Sequence, residues 1–142
     1  WLDGFMSEKQ FQAFYWPTLQ RLIRGLTDEG LTPFLLWEGD CTSRLELIGD
    51  IPRGKVVYWF ERTDIFKAKE ILGDRVCLRG NVPLSMLCTG TPDDVKDYCK
   101  RLIDIEGKGG GLIVDSSTVV EDAKPKNLKT MIEFTKTYGT YR

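Results

Sequence analysis

The chain has 142 residues, with 20 Lys and Arg against 21 Asp and Glu, no histidine, four cysteines and 42% apolar residues. That length fits one packed domain, and a net charge of -1 with both signs scattered excludes the basic stripe of a nucleic-acid binder and a polybasic membrane anchor. Without histidine the chain has no Ser-His-Asp or Cys-His pair, no HExxH zinc site and no imidazole base of its own.

Along the chain, Ser7 followed by Gln10 reads as a capping box, and Phe11, Tyr15, Leu19, Leu22 and Leu26 recur at helical spacing, so residues 8 to 29 are expected to be helical until Gly30. Pro17 predicts a break near Trp16 with Pro17 opening a second helix, because an interior proline removes a hydrogen bond and clashes with the preceding turn. Phe34 to Trp37 is a short, continuous apolar run and reads as a buried strand. Ser43 with Glu46 predicts a second capping box over Leu45 and Ile48. A strand is expected over Lys55 to Phe60, then a helix capped by Asp64 and closed by Gly73, then a strand over Arg75 to Leu78. Thr91-Pro92-Asp93-Asp94 is a strong helix start, with Val95, Tyr98, Cys99, Leu102 and Ile103 as its buried face. Leu112 to Val114 gives a fourth strand, and Asn127 to Tyr138 a last helix stopped by Gly139.

The apolar runs are far shorter than the roughly 20 residues of a membrane-spanning helix, so no membrane association is expected. The cysteines, Cys41, Cys77, Cys88 and Cys99, form no CxxC pair, which fits reduced thiols in a cytoplasm. The start at Trp1 inside an ongoing segment suggests a fragment. The alternation of helices and strands demands right-handed crossovers and an α/β fold with a parallel sheet. It fits a small open sheet or half of a (β/α)8 barrel, and length favours the half, since a whole barrel takes about 250 residues.

Arg79-Gly80-Asn81-Val82-Pro83, Gly90-Thr91-Pro92-Asp93-Asp94-Val95, Gly110-Gly111-Leu112-Ile113-Val114 and Lys124-Pro125-Lys126-Asn127, in that order, resemble the uroporphyrinogen decarboxylase family, and Gly4-Phe5-Met6-Ser7 with Trp16-Pro17 resembles its entry into a mid-barrel helix. The resemblance implies the C-terminal half of a TIM barrel over residues 1 to 142, carrying barrel strands five to eight as one domain. It also implies one of two chemistries: decarboxylation of tetrapyrrole acetate groups without a cofactor, through an early-barrel Asp and arginines, or zinc-dependent methyl transfer between corrinoids and thiols. The decarboxylase residues would precede this chain, so it is expected to be inactive alone. The zinc ligands of the second branch would fall at Trp37-Glu38-Gly39 and Asp115-Ser116-Ser117, which offer neither thiolate nor imidazole, so no metal is expected. Cys41 lies nearby, and a lone thiol reads as an apolar filler.

In such barrels the site lies at the C-terminal ends of the strands. The substrate-binding candidates are therefore Glu38, Asp40, Arg62, Arg79, Asn81, Asp115 and Ser117. Arg62 and Arg79 are suited to clamping carboxylates, while Glu38 or Asp115 can exchange a proton if buried. Against this, Glu61 and Arg62 can simply pair on a loop, and Asn81 can tie the Gly80 turn to its surroundings. The glycines at 109 to 111 precede a strand rather than a helix, so they read as a turn and not a phosphate loop. Tyr58, Trp59 and Phe60 suit a core strand better than a stacking platform. The expected partners are a tetrapyrrole or corrinoid-like small molecule, and either a second copy of the chain or the missing N-terminal half-barrel. A non-catalytic binding or assembly role is the remaining alternative. Half a barrel has two open edges and an uncovered inner face, expected to include Leu35, Val57, Cys77 and Ile113, which favours a homo-oligomer.

Overall fold

The computed structural model describes residues 5–140; Trp1 and Gly4, which enter the expectations above, lie outside them. Ser7 forms its capping box with Gln10 and starts α1 (Glu8–Gln10), and Pro17 lies in the first turn of a second helix as expected, but the chain does not break at Trp16. A π-helical stretch, Phe11–Tyr15, carries the chain directly into α2 (Trp16–Asp28). There the Trp16 N–H donates to the Phe11 carbonyl, so the ladder widens just ahead of Pro17, whose missing N–H then falls at the start of a new helical register. After β1 (Phe34–Trp37), the box at Ser43 and Glu46 does not form. Asp40 Oδ1 accepts from the Thr42 N–H at 2.9 Å and from its hydroxyl at 2.5 Å, and the turn starts earlier, as a 3-10 helix Thr42–Arg44 that runs into α3 (Leu45–Ile48).

β2 (Val57–Phe60) and β3 (Cys77–Arg79) each begin two residues later than expected, flanking α4 (Ile65–Leu72). Asp64 caps α4 by accepting from the Phe66 and Lys67 amides at 3.0 and 3.1 Å. A short helix, α5 (Leu84–Thr89), was not expected; its Leu84 N–H donates to the Ser117 hydroxyl from a distant loop, so no local side chain announces it. α6 (Pro92–Glu106) opens on the Thr91 and Asp94 capping box, and β4 (Leu112–Ile113) and α7 (Pro125–Tyr138) complete the chain. Buried Asn127 holds α7 against α5, donating to the carbonyls of Leu87 and Gly90 at 3.0 Å each. All four cysteines are free thiols.

The strands are all parallel, in the order β1-β2-β3-β4. Registered neighbours share a face. Leu35, Tyr58, Leu78 and Leu112 therefore point one way, and Leu36, Trp59, Arg79 and Ile113 the other, with Phe34, Val57 and Cys77 one layer below them. The first face lies under the helices: Tyr58, Phe60 and Leu78 are fully buried, and Trp37 packs edge-on against Tyr58 and near Trp16. The second face is open, leaving Phe34 49%, Leu36 38% and Ile113 41% exposed. Two expectations are corrected by this register. Leu35 belongs to the helix side rather than the inner face, and β1 is buried on one side only.

Candidate functional site

Arg79 ends β3 on the open face. Its guanidinium lies 4.0 Å from the centre of the Trp59 ring and 4.7 Å from that of Phe34. Its Nε and Nη2 both reach Asp115 Oδ2 at 2.5 Å, while Asp115 Oδ1 accepts from the Ser116 amide at 2.7 Å. The Trp59 indole N–H donates to the Ser116 carbonyl at 2.9 Å, tying this layer to the chain beyond β4. Arg79 and Asp115 are each about a quarter exposed, so the pair is shielded yet reachable, and the Nη1 edge of the guanidinium remains for an incoming carboxylate. Among the strand triplet Tyr58-Trp59-Phe60, the outer two are core and Trp59 alone faces the open side.

Beyond the ends of β2 and β3 a separate cleft of 660 Å³ brings together Arg62, Asn81 and Ser117 with Tyr98 and Arg101 of α6. Asn81 and Ser117 are internally engaged. The Asn81 amide donates to the Thr63 carbonyl at 3.0 Å and its oxygen accepts from the Tyr98 hydroxyl at 2.9 Å; the Ser117 amide donates to the Val82 carbonyl at 2.8 Å while its hydroxyl accepts from Leu84. Burial pushes the Tyr98 phenol up, against the pull of Arg101. Glu61 and Arg62 do not pair: the Glu61 carboxylate accepts from the Gly39 amide at 2.6 Å, which fastens the β1 loop to the β2 loop. Arg101 was not among the expected residues because those were sought past the strand ends, and it lies inside α6; Asp97, one turn earlier, offers it an ordinary surface pair. No such pair forms, and Arg101 instead stacks 3.9 Å over the Phe66 ring.

Glu38 and Asp40 stand apart on the β1 loop, both exposed, with Asp40 committed to Thr42. Cys41 is buried, its thiol 4.0 Å from the Glu38 carbonyl and its amide held by the Thr63 hydroxyl. With Trp37, Glu38 and Gly39 on one side and Asp115, Ser116 and Ser117 on the other, the donor set does not fit zinc, and among the described residues no group of three His, Cys, Asp or Glu is placed to hold a metal. The glycines at 109 to 111 all adopt positive φ, as a turn between α6 and β4.

The sequence profile of the uroporphyrinogen decarboxylase family matches residues 2–138. The chain belongs to the uroporphyrinogen decarboxylase family. The uroporphyrinogen decarboxylase of Chlorobium phaeovibrioides is 31% identical over 137 residues, covering 92% of this chain and 38% of that protein, and that of Chlorobium luteolum is 30% identical over the same shares. The chain thus spans 38% of the length of these curated relatives. A methyltransferase from Methanosarcina mazei superposes with a TM-score of 0.76 at 20% identity, over 96% of this chain and 39% of that one, which establishes a shared fold. Four parallel strands alternating with helices therefore form half of a TIM barrel, and the open face is the side that lines the interior of a complete one. Among the described residues no helix is long and apolar enough to cross a membrane.

Proposed function

We propose that this chain is the substrate-gripping C-terminal half of a uroporphyrinogen-decarboxylase-like barrel that acts, once completed, on a tetrapyrrole polycarboxylate. The observation that carries this reading is Arg79 on the open face, braced by Asp115 and lying over Trp59 and Phe34. A macrocycle edged with carboxylates needs a guanidinium with a free edge, held in place on a nonpolar wall, and those are the groups at hand. The pair does no proton transfer in this reading. Asp115 is hydrogen-bonded on both oxygens, which suits a group that aims Arg79 rather than one that exchanges protons. Proton transfer falls to the early-barrel Asp and arginines that the family resemblance implies, so this half alone holds the substrate without turning it over. The zinc-dependent branch of the superfamily is not favoured, because its ligand positions carry no thiolate or imidazole.

The test is anaerobic incubation with uroporphyrinogen. The chain alone is expected to form no coproporphyrinogen and to bind the substrate saturably, with at least tenfold weaker binding in Arg79→Gln. Turnover at ordinary enzyme rates by the chain alone, or binding indifferent to Arg79, overturns the reading.

A further inference from the structure

We infer that the cleft between α4, α5 and α6 is a binding site for a small polyanion, gripped jointly by Arg62 and Arg101. The site is distinct from the open face, since neither Arg79 nor Asp115 lines it, and it does not depend on the tetrapyrrole reading.

Both guanidinium groups lack a carboxylate partner among the described residues, although each has one beside it in sequence. Arg62 follows Glu61, which is turned away onto the Gly39 amide. Arg101 follows Asp97 by one helical turn and stacks on Phe66 instead. Stacking uses the face of the guanidinium and leaves its edge N–H donors pointing outward, and it holds the group in place before any ligand arrives. The other acid of the lining, Asp64, is engaged by the first amides of α4. The hydroxyls of Ser85 and Thr118 line the same cleft without a partner among the described residues, while Tyr98, fixed to Asn81, forms a rigid wall. A volume of 660 Å³ is within the range of small-molecule sites. One cation preset by stacking, a second cation in the same lining and two free hydroxyls suit a molecule bearing two or more carboxylate or phosphate groups, each taken by the planar edge of an arginine.

Isothermal titration calorimetry of the whole chain with tricarballylate, and separately with pyrophosphate, tests this. At least one probe is expected to bind one to one, with affinity falling tenfold or more in both Arg62→Gln and Arg101→Gln, and part of the loss restored in Arg62→Lys but not in Arg101→Lys, where the stack goes with the guanidinium. Binding of tricarballylate alone assigns a carboxylate ligand, and binding of pyrophosphate alone a phosphate. Lys55→Gln makes the same charge change near the other end of β2 and is expected to leave binding within twofold. Both arginines are exposed, so their variants are expected to unfold at the wild-type temperature, which circular dichroism checks. The inference is overturned if neither probe binds saturably, if either glutamine variant binds like wild type, or if Lys55→Gln weakens binding equally.

Discussion

The two faces of one sheet behave as different materials. Toward the helices, Tyr58, Phe60 and Leu78 are sealed and Tyr58 gives its hydroxyl to the Ile48 carbonyl at 2.7 Å, while toward the open side Phe34, Leu36 and Ile113 stay partly wet around the Arg79 and Asp115 pair. Burial pushes the Tyr58 phenol far above its usual range; the open face carries a salt bridge in reach of solvent. The apolar residues of the two faces are similar, so hydrophobicity alone does not say which side is core. A half-barrel must be hydrophobic on both sides of its strands because the completed barrel buries both.

The largest expected effect separates the faces directly. Leu78→Ala empties a site with no exposure and is expected to cost about 2 to 5 kcal/mol in urea denaturation, whereas Leu36→Ala, measured at a protein concentration low enough to dissociate any oligomer, is expected to cost under about 1 kcal/mol. Equal costs would mean that the open face is already covered in solution.

The sealed side also buries an acid. Glu106, the last residue of α6, is fully buried and both its carboxylate oxygens lack a hydrogen-bond partner among the described residues. Burial raises its pKa to about 7, opposed by Lys69 and reinforced by Asp64, and the negative end of its own helix further disfavours the charged form. An acid with a raised native pKa binds its proton more tightly when folded than when unfolded. Stability is therefore highest below the ordinary glutamate range and falls as pH rises toward 7, with the whole cost present above it. Glu106→Gln is expected to stabilise the chain by up to about 3 kcal/mol above pH 7 and to flatten the pH profile of its thermal unfolding. An unchanged profile would remove Glu106 as the cause.

Smaller effects test the scaffold between the faces. Tyr98→Phe removes the hydroxyl that holds Asn81 and is expected to cost about 1 kcal/mol in denaturant melts. Thr91→Ala is expected to cost about 1 kcal/mol through the lost α6 cap, seen as a lower unfolding temperature.

Much of the fold was legible because its signals are local. Capping boxes at Ser7 and Thr91, the Asp64 cap and the terminating glycines each act within one turn. What escaped was non-local. α5 takes its first partner from Ser117 in a distant loop. The face assignment of Leu35 failed because Phe34-Leu35-Leu36-Trp37 has no polar residue to fix its parity, and only pairing with β2 decides it. Of the candidate residues, Arg79 and Asp115 stood out at the strand ends, but their pairing was not legible, and Arg101 was missed because it lies inside α6 rather than at a strand end.

The central claim is that the open face is made to be covered, and light scattering behind a sizing column at micromolar concentration tests it most directly. Two copies can supply one another's missing strands, closing both edges and burying Phe34, Leu36 and Ile113. A dimer or larger oligomer is the predicted result; a clean monomer with sharp thermal unfolding would contradict it.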